Sequence, residues 1–114
     1  MNLETMRTQA DEASAFLQAC AHQSRLLLLC QLAQEEMNVG ELEQRVGVHQ
    51  PSLSQQLGVL RRQGLIVGRR SGQQVYYRVA DPRALAMVKS LYEIFCVKPS
   101  KTETETEKGV KQDG

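Results

Sequence analysis

The sequence contains no tryptophan, and aromatic residues fill only 4% of its 114 positions. Its core must therefore be aliphatic, drawn from the leucines and valines within an apolar fraction of 41%. No apolar run approaches the ~20 residues that a bilayer-spanning helix needs. No basic segment leads into an apolar one at the start, so no secretory signal is read. The expectation is a cytoplasmic protein without membrane association. Charge of one sign is also missing, with a formal net charge of +1. The three cysteines include no Cys-x-x-Cys pair, and no strand-helix-strand pattern surrounds them, which argues against a thiol oxidoreductase. In a reducing compartment they are not a disulfide framework. Core thiols, metal ligands and redox-active groups remain the options. There is no glycine-rich phosphate loop and no Ser/His/Asp order, and His22 and His49 read as turn residues. No enzyme and no cofactor are expected.

What the chain does have is an uneven distribution of charge. Residues 61–83 hold six arginines (Arg61, Arg62, Arg69, Arg70, Arg78 and Arg83) against one acid, Asp81. The first 45 residues hold seven acids against three arginines. Such a split presents one basic face while bulk charge stays near zero, a pattern suited to nucleic acid.

The organising stretch is Val39 to Leu60. Leu42 and Val46 are four apart and share a helix face. Gly47 ends that helix, Val48 fills the turn, and Pro51 fits the first turn of the next helix. Leu53, Leu57 and Leu60 form a buried stripe. The other face offers Gln50, Ser52, Ser54, Gln55 and Gln56, uncharged hydrogen-bonding side chains suited to base edges and phosphates in a major groove. A β-prone run from Leu65 to Arg70, a turn at Ser71-Gly72 and an alternating run from Gln74 to Val79 predict a hairpin. A helix-turn-helix followed by a basic hairpin is a winged helix. Gln55 and Gln56 are the expected adenine readers. Arg61, Arg69 and Arg70 are the expected phosphate contacts.

Around this unit the spacing predicts a helix over Leu3–Cys20 with one long apolar stripe. A second, central helix over Arg25–Ala33 has Ser24 as its N-cap, and Gln34 to Asn38 reads as a polar connector. A terminal helix begins at Pro82 behind an Asp81 cap. The fold class is mainly α with a small β-hairpin, in the order α-α-α-α-β-β-α. Residues 1–96 form the DNA-binding and dimerisation domain. Residues 97–114 read as a disordered tail, with one aliphatic residue after Lys98 and balanced charge. One reading head buries too little DNA for tight specificity. A homodimer on an inverted-repeat operator in double-stranded DNA is therefore expected, joined through the stripes at Leu3–Cys20 and Leu85–Phe95.

The segments HQSRLLLLC (22–30), VGELEQRV (39–46), SLSQQLGVL (52–60), RRQGLIV (61–67) and GQQVYYRV (72–79) together resemble the ArsR/SmtB family of small dimeric repressors. The resemblance covers residues ~3 to ~96. One metal site of that family uses a Cys-x-Cys in the first helix of the helix-turn-helix, where Val39–Gln44 has no Cys. Another uses Asp and His on the terminal helix, which here has no His, while Asp81 is its cap. A metal-responsive repressor is thus the weaker alternative, and no metal ligands are assigned. LLLLC in the second helix and LYEIFC in the last look like the BigR/HlyU/SqrR group of thiol-based regulators. Departures are Gln23 and Gln56, where many relatives carry Pro and His, and the additional Cys20.

The resemblance implies a redox-sensing pair, Cys30 and Cys96. Their oxidation or persulfidation by reactive sulfur species or oxidants would release the operator. A regulator insensitive to redox state, acting by displacing a silencer, is the other alternative.

Overall fold

Residues 1–97 are described by the computed structural model; the expected tail falls almost wholly on 98–114, outside the described residues. Helix α1 spans Leu3–Cys20, and the Asn2 side chain accepts from the Glu4 and Thr5 amides at its start. Helix α2 spans Gln23–Gln34, two residues longer at its start than the apolar pattern predicts. Its N-cap is His22 rather than Ser24: the Ser24 amide donates to His22 Nδ1 at 3.2 Å. An imidazole nitrogen serves where a serine oxygen was expected, because the cap needs only an acceptor aimed at an orphan amide.

Helix α3, Val39–Val46, opens with a reciprocal cap. Asn38 Oδ1 accepts from the Glu41 amide at 2.8 Å, and Glu41 accepts from the Asn38 amide at 2.9 Å. Gly47 closes the helix at φ +79°, a conformation that costs a side-chain-bearing residue steric energy. Helix α4 covers Ser52–Arg62. Pro51 sits one position before the helix rather than in its first turn, and the Gln50 side chain accepts from the Ser54 amide at 3.0 Å. At the far end the Leu65 amide reaches the Leu60 carbonyl and the Gly64 amide reaches that of Arg61, both at 2.9 Å. These paired bonds turn the chain directly into a strand.

Strands β2 (Ile66–Ser71) and β3 (Gln74–Val79) form the expected antiparallel hairpin, with Arg70 opposite Val75 and Ser71 opposite Gln74. A third strand, β1 (Met37–Asn38), lies on the other edge of β3, with Met37 opposite Tyr77. The connector read over Gln34 to Asn38 is corrected here: it ends in a strand, which extends the expected hairpin to three strands. Two residues are too few to show alternation, and the pairing joins positions forty apart in the chain. Helix α5, Pro82–Phe95, begins where expected, with Asp81 accepting from the Arg83 amide at 2.8 Å.

Helix α2 is the hub, packed against α1, α3, α4, α5 and β3. Its Leu28, Leu29 and Leu32 meet Leu42 of α3, Leu53, Leu57 and Leu60 of α4, Leu65 and Ile66, and Ala84 and Val88 of α5. Each fully buried leucine contributes about 1.5–3 kcal/mol relative to exposure. Cys20 joins this core at 3% exposure, a correction to its expected place in a face turned to a partner chain.

Candidate nucleic-acid interface and thiol pair

With Leu53, Leu57 and Leu60 buried, α4 turns Ser54 and Gln55 outward, and both are exposed. Among the described residues the Gln55 carboxamide has no hydrogen-bond partner, so its oxygen and nitrogen are both free for the N6 and N7 edge of an adenine. Ser52 is half-buried at the start of the helix.

Two of the expected readers already hold partners. Gln50 uses its carboxamide oxygen on the Ser54 amide. Gln56 is half-buried, and its Oε1 accepts from Arg25 Nη1 at 2.8 Å. A guanidinium only donates, so it fixes which end of the Gln56 amide faces inward. Arg25 also donates through Nε to the Ala19 carbonyl at 2.6 Å and through Nη2 to that of Gln18 at 3.3 Å. It therefore bolts the end of α1 to α4. Sequence reasoning missed this role, because an arginine among leucines gives no hint of which carbonyls it will meet.

The arginines divide the same way. Arg69, expected to contact phosphate, lies in a two-pronged pair with Glu36, with contacts of 2.7 and 3.2 Å, and stacks over the Tyr76 ring at 5.2 Å. The bonds from Arg69 hold the Glu36 carboxyl below its ordinary range, and Glu36 raises Arg69 in return. Arg83 is held by Asp81 at 2.8 Å and Glu12 at 3.0 Å and stacks over Phe16, tying α5 to α1. Among the described residues no carboxylate pairs with Arg61, Arg62, Arg70 or Arg78. Arg61 and Arg62 at the end of α4 and Arg70 on the hairpin are exposed, as is Arg78, whose charge also acts on Glu36.

The thiols occupy three environments: Cys20 is buried, Cys30 half-buried and Cys96 exposed. Helices α2 and α5 pack together, which brings Cys30 and Cys96 toward one another from positions 66 residues apart. Burial pushes the Cys30 thiol up, and the charge of Cys96 pushes it further in the same direction. That second effect requires the sulfurs to lie within electrostatic reach. Cys20 is also raised, by burial first, with Arg25 opposing and Asp81 adding to the shift. Cys96 is not among its perturbers. Among the described residues no three His, Cys, Asp or Glu side chains gather as a metal site would require.

Residues 22–67 match the family described as bacterial regulatory protein, arsR family. The biofilm growth-associated repressor of Xylella fastidiosa is 46% identical over 96 residues, which is 84% of each chain. The transcriptional activator HlyU of Vibrio cholerae is 38% identical over 96 residues, 84% of this chain and 89% of that one. The crystal structure of the transcriptional repressor BigR from Xylella fastidiosa superimposes with a TM-score of 0.82 at 45% identity, over 86% of this chain and all of that one.

Proposed function

The chain belongs to the arsR family of bacterial regulatory proteins, and from that premise we propose a transcriptional repressor that binds an inverted-repeat operator as a homodimer and lets go when Cys30 and Cys96 are oxidised. The observation that carries the reading is the approach of an exposed thiol on α5 to a half-buried one on α2, the hub that also packs on the reading helix.

The chemistry follows from exposure. Cys96 meets a low-molecular-weight hydropersulfide, RSSH, first. Its thiolate attacks the sulfane sulfur, a new S–S bond forms, and the thiol RSH leaves. The Cys30 thiolate then attacks the Cys96 sulfur, a protein disulfide forms, and hydrogen sulfide leaves. The two thiols together lose two electrons and two hydrogens, which the persulfide takes up. Capture of additional sulfur would leave a longer polysulfide bridge instead, which tolerates a wider gap than the ~7 Å between α-carbons that a disulfide allows. Either bridge pulls α5 against α2. If α5 forms part of the dimer interface, the two reading heads turn relative to each other. Half-sites about 34 Å apart are sensitive to such a turn.

Operator binding by the full chain, titrated with and without inorganic polysulfide, tests the switch. Wild type is expected to lose about 5- to 150-fold in affinity, the coupling of 1–3 kcal/mol usual for allosteric sites. Cys30→Ser and Cys96→Ser should bind the untreated operator normally and ignore polysulfide, while Cys20→Ser should respond as wild type. Variants that respond like wild type would remove the switch and leave a plain DNA binder. One relative is named an activator. A reporter driven from the bound promoter separates direct repression from displacement of a silencer, since deletion of the gene raises expression in the first case and lowers it in the second.

A further inference from the structure

We infer that Arg62 reads a guanine from the outward face of α4, and that Gly58 is what allows its guanidinium to lie there. The inference rests on the DNA-reading role of α4 proposed above and adds a residue that determines specificity.

At about 100° per residue, positions 55, 58 and 62 fall on the side of the helix opposite Leu53, Leu57 and Leu60. Gly58 is nevertheless buried. Its cover is the end of the Arg62 side chain. A β-carbon at position 58 would stand 3.1 Å from Arg62 Nη1 and 3.9 Å from its Cζ, with no other atom within 4 Å outside its neighbours and the helix's own backbone. The Arg62 side chain therefore doubles back over the preceding turn, in the direction that α-helical Cα–Cβ bonds favour. Its guanidinium lies against bare backbone at the level of Gly58, on the face that also carries exposed Gln55.

Among the described residues no carboxylate draws the Arg62 guanidinium away from this position, as acids do with Arg69 and Arg83. A glycine in the middle of an amphipathic helix is normally a liability, since alanine at the same place is more stable. The glycine leaves a shallow seat on the face directed at the groove. A planar fork of donors resting in that seat matches the O6 and N7 acceptors of guanine. Arg61, one residue earlier, projects toward the flank of the helix and is placed for phosphate instead.

The test uses the full-length chain and the tightest duplex that wild type selects from a randomised pool. Affinities for that duplex and all its single base-pair substitutions are measured for wild type, Gly58→Ala, Arg62→Ala and the double variant, with Tm recorded for each. Arg62→Ala should lose about tenfold on the selected duplex, with discrimination abolished at one G·C pair per half-site and kept elsewhere. Gly58→Ala should lose about threefold or more at that same pair while Tm rises by about 2–6 °C, the reverse of what a damaged fold gives. Introduced into Arg62→Ala, it should change affinity by less than about twofold, since the two residues act through one contact. A loss spread evenly over all duplexes for Arg62→Ala overturns the inference, as does an undiminished effect of Gly58→Ala once Arg62 is gone. If wild type selects a duplex and the variants read it identically, only this inference falls. If wild type selects none, the DNA-reading role falls and takes this inference with it.

Discussion

The reading head and the two terminal helices are built from the same amphipathic pattern, yet only one of them is finished within a single chain. In the head, Leu42, Leu53, Leu60 and Leu65 are at most 1% exposed. On α1, Leu3, Met6 and Leu17 remain 46–66% exposed, and on α5 Tyr92, Ile94 and Phe95 remain 58–78% exposed. Helix α1 touches the body mainly at its end, through Phe16, Ala19 and Cys20, while α5 touches it through Ala84, Met87 and Val88 and carries Cys96 near Cys30. Large apolar side chains left exposed in this number on a small protein suit an interaction site. The contrast separates a closed aliphatic core from two helices that leave large apolar side chains exposed, the surface through which the proposed homodimer would form.

The sharpest way to break that contrast is to cut into each side. Leu60→Ala should cost about 2–5 kcal/mol in urea unfolding, because a fully packed leucine leaves a cavity behind. The paired change Leu17→Ser and Phe95→Ser should leave secondary structure intact. In sedimentation it should convert a dimer to a monomer and abolish the concentration dependence of Tm. A wild-type chain that sediments as a monomer at micromolar concentration would erase the distinction.

Within the head, smaller effects separate reading from anchoring. Gln55→Ala should relax preference at one base pair, a loss of about 1–3 kcal/mol of discrimination. Arg70→Ala should weaken all duplexes alike and lower the slope of log affinity against log salt by about one. Identical behaviour of the two would merge roles that the geometry keeps apart.

The smallest effect concerns the thiols that bridge the two regions. Alkylation of Cys30, followed by mass spectrometry across pH, should show a midpoint above the ordinary thiol range, because burial disfavours the thiolate. Cys96→Ser removes a neighbouring negative charge, which favours the Cys30 thiolate, so the midpoint should fall. It should not fall to that of a free thiol, since burial is the larger cause and persists. No change in the midpoint would mean that the sulfurs do not sense each other.

Much of this arrangement was legible from residue order because it is local. Gly47 after Val46, the leucines at 53, 57 and 60, Asp81 before Pro82 and the alternation from Val75 to Val79 each act within a few residues. The outward position of Gln55 followed from the same periodicity. What was not legible involves partners far apart in sequence. The β1 strand exists because Met37 and Asn38 meet β3. Arg69 is neutralised by a glutamate 33 residues away, and Gln56 is captured by an arginine 31 residues away. Composition near a residue says nothing about such encounters.

The sequence by itself determined the class of fold, the helix that faces outward with Gln55, and the family, because helix periods, caps and turns are short-range properties of the chain. Only the tertiary structure decided which arginines are paired with carboxylates, which polar side chains are already engaged, and that Cys20 is walled into the core while Cys30 and Cys96 approach each other. Those outcomes depend on Coulomb forces and hydrogen bonds acting over a few ångströms of space, and the folded packing of α2 against its neighbours sets that space.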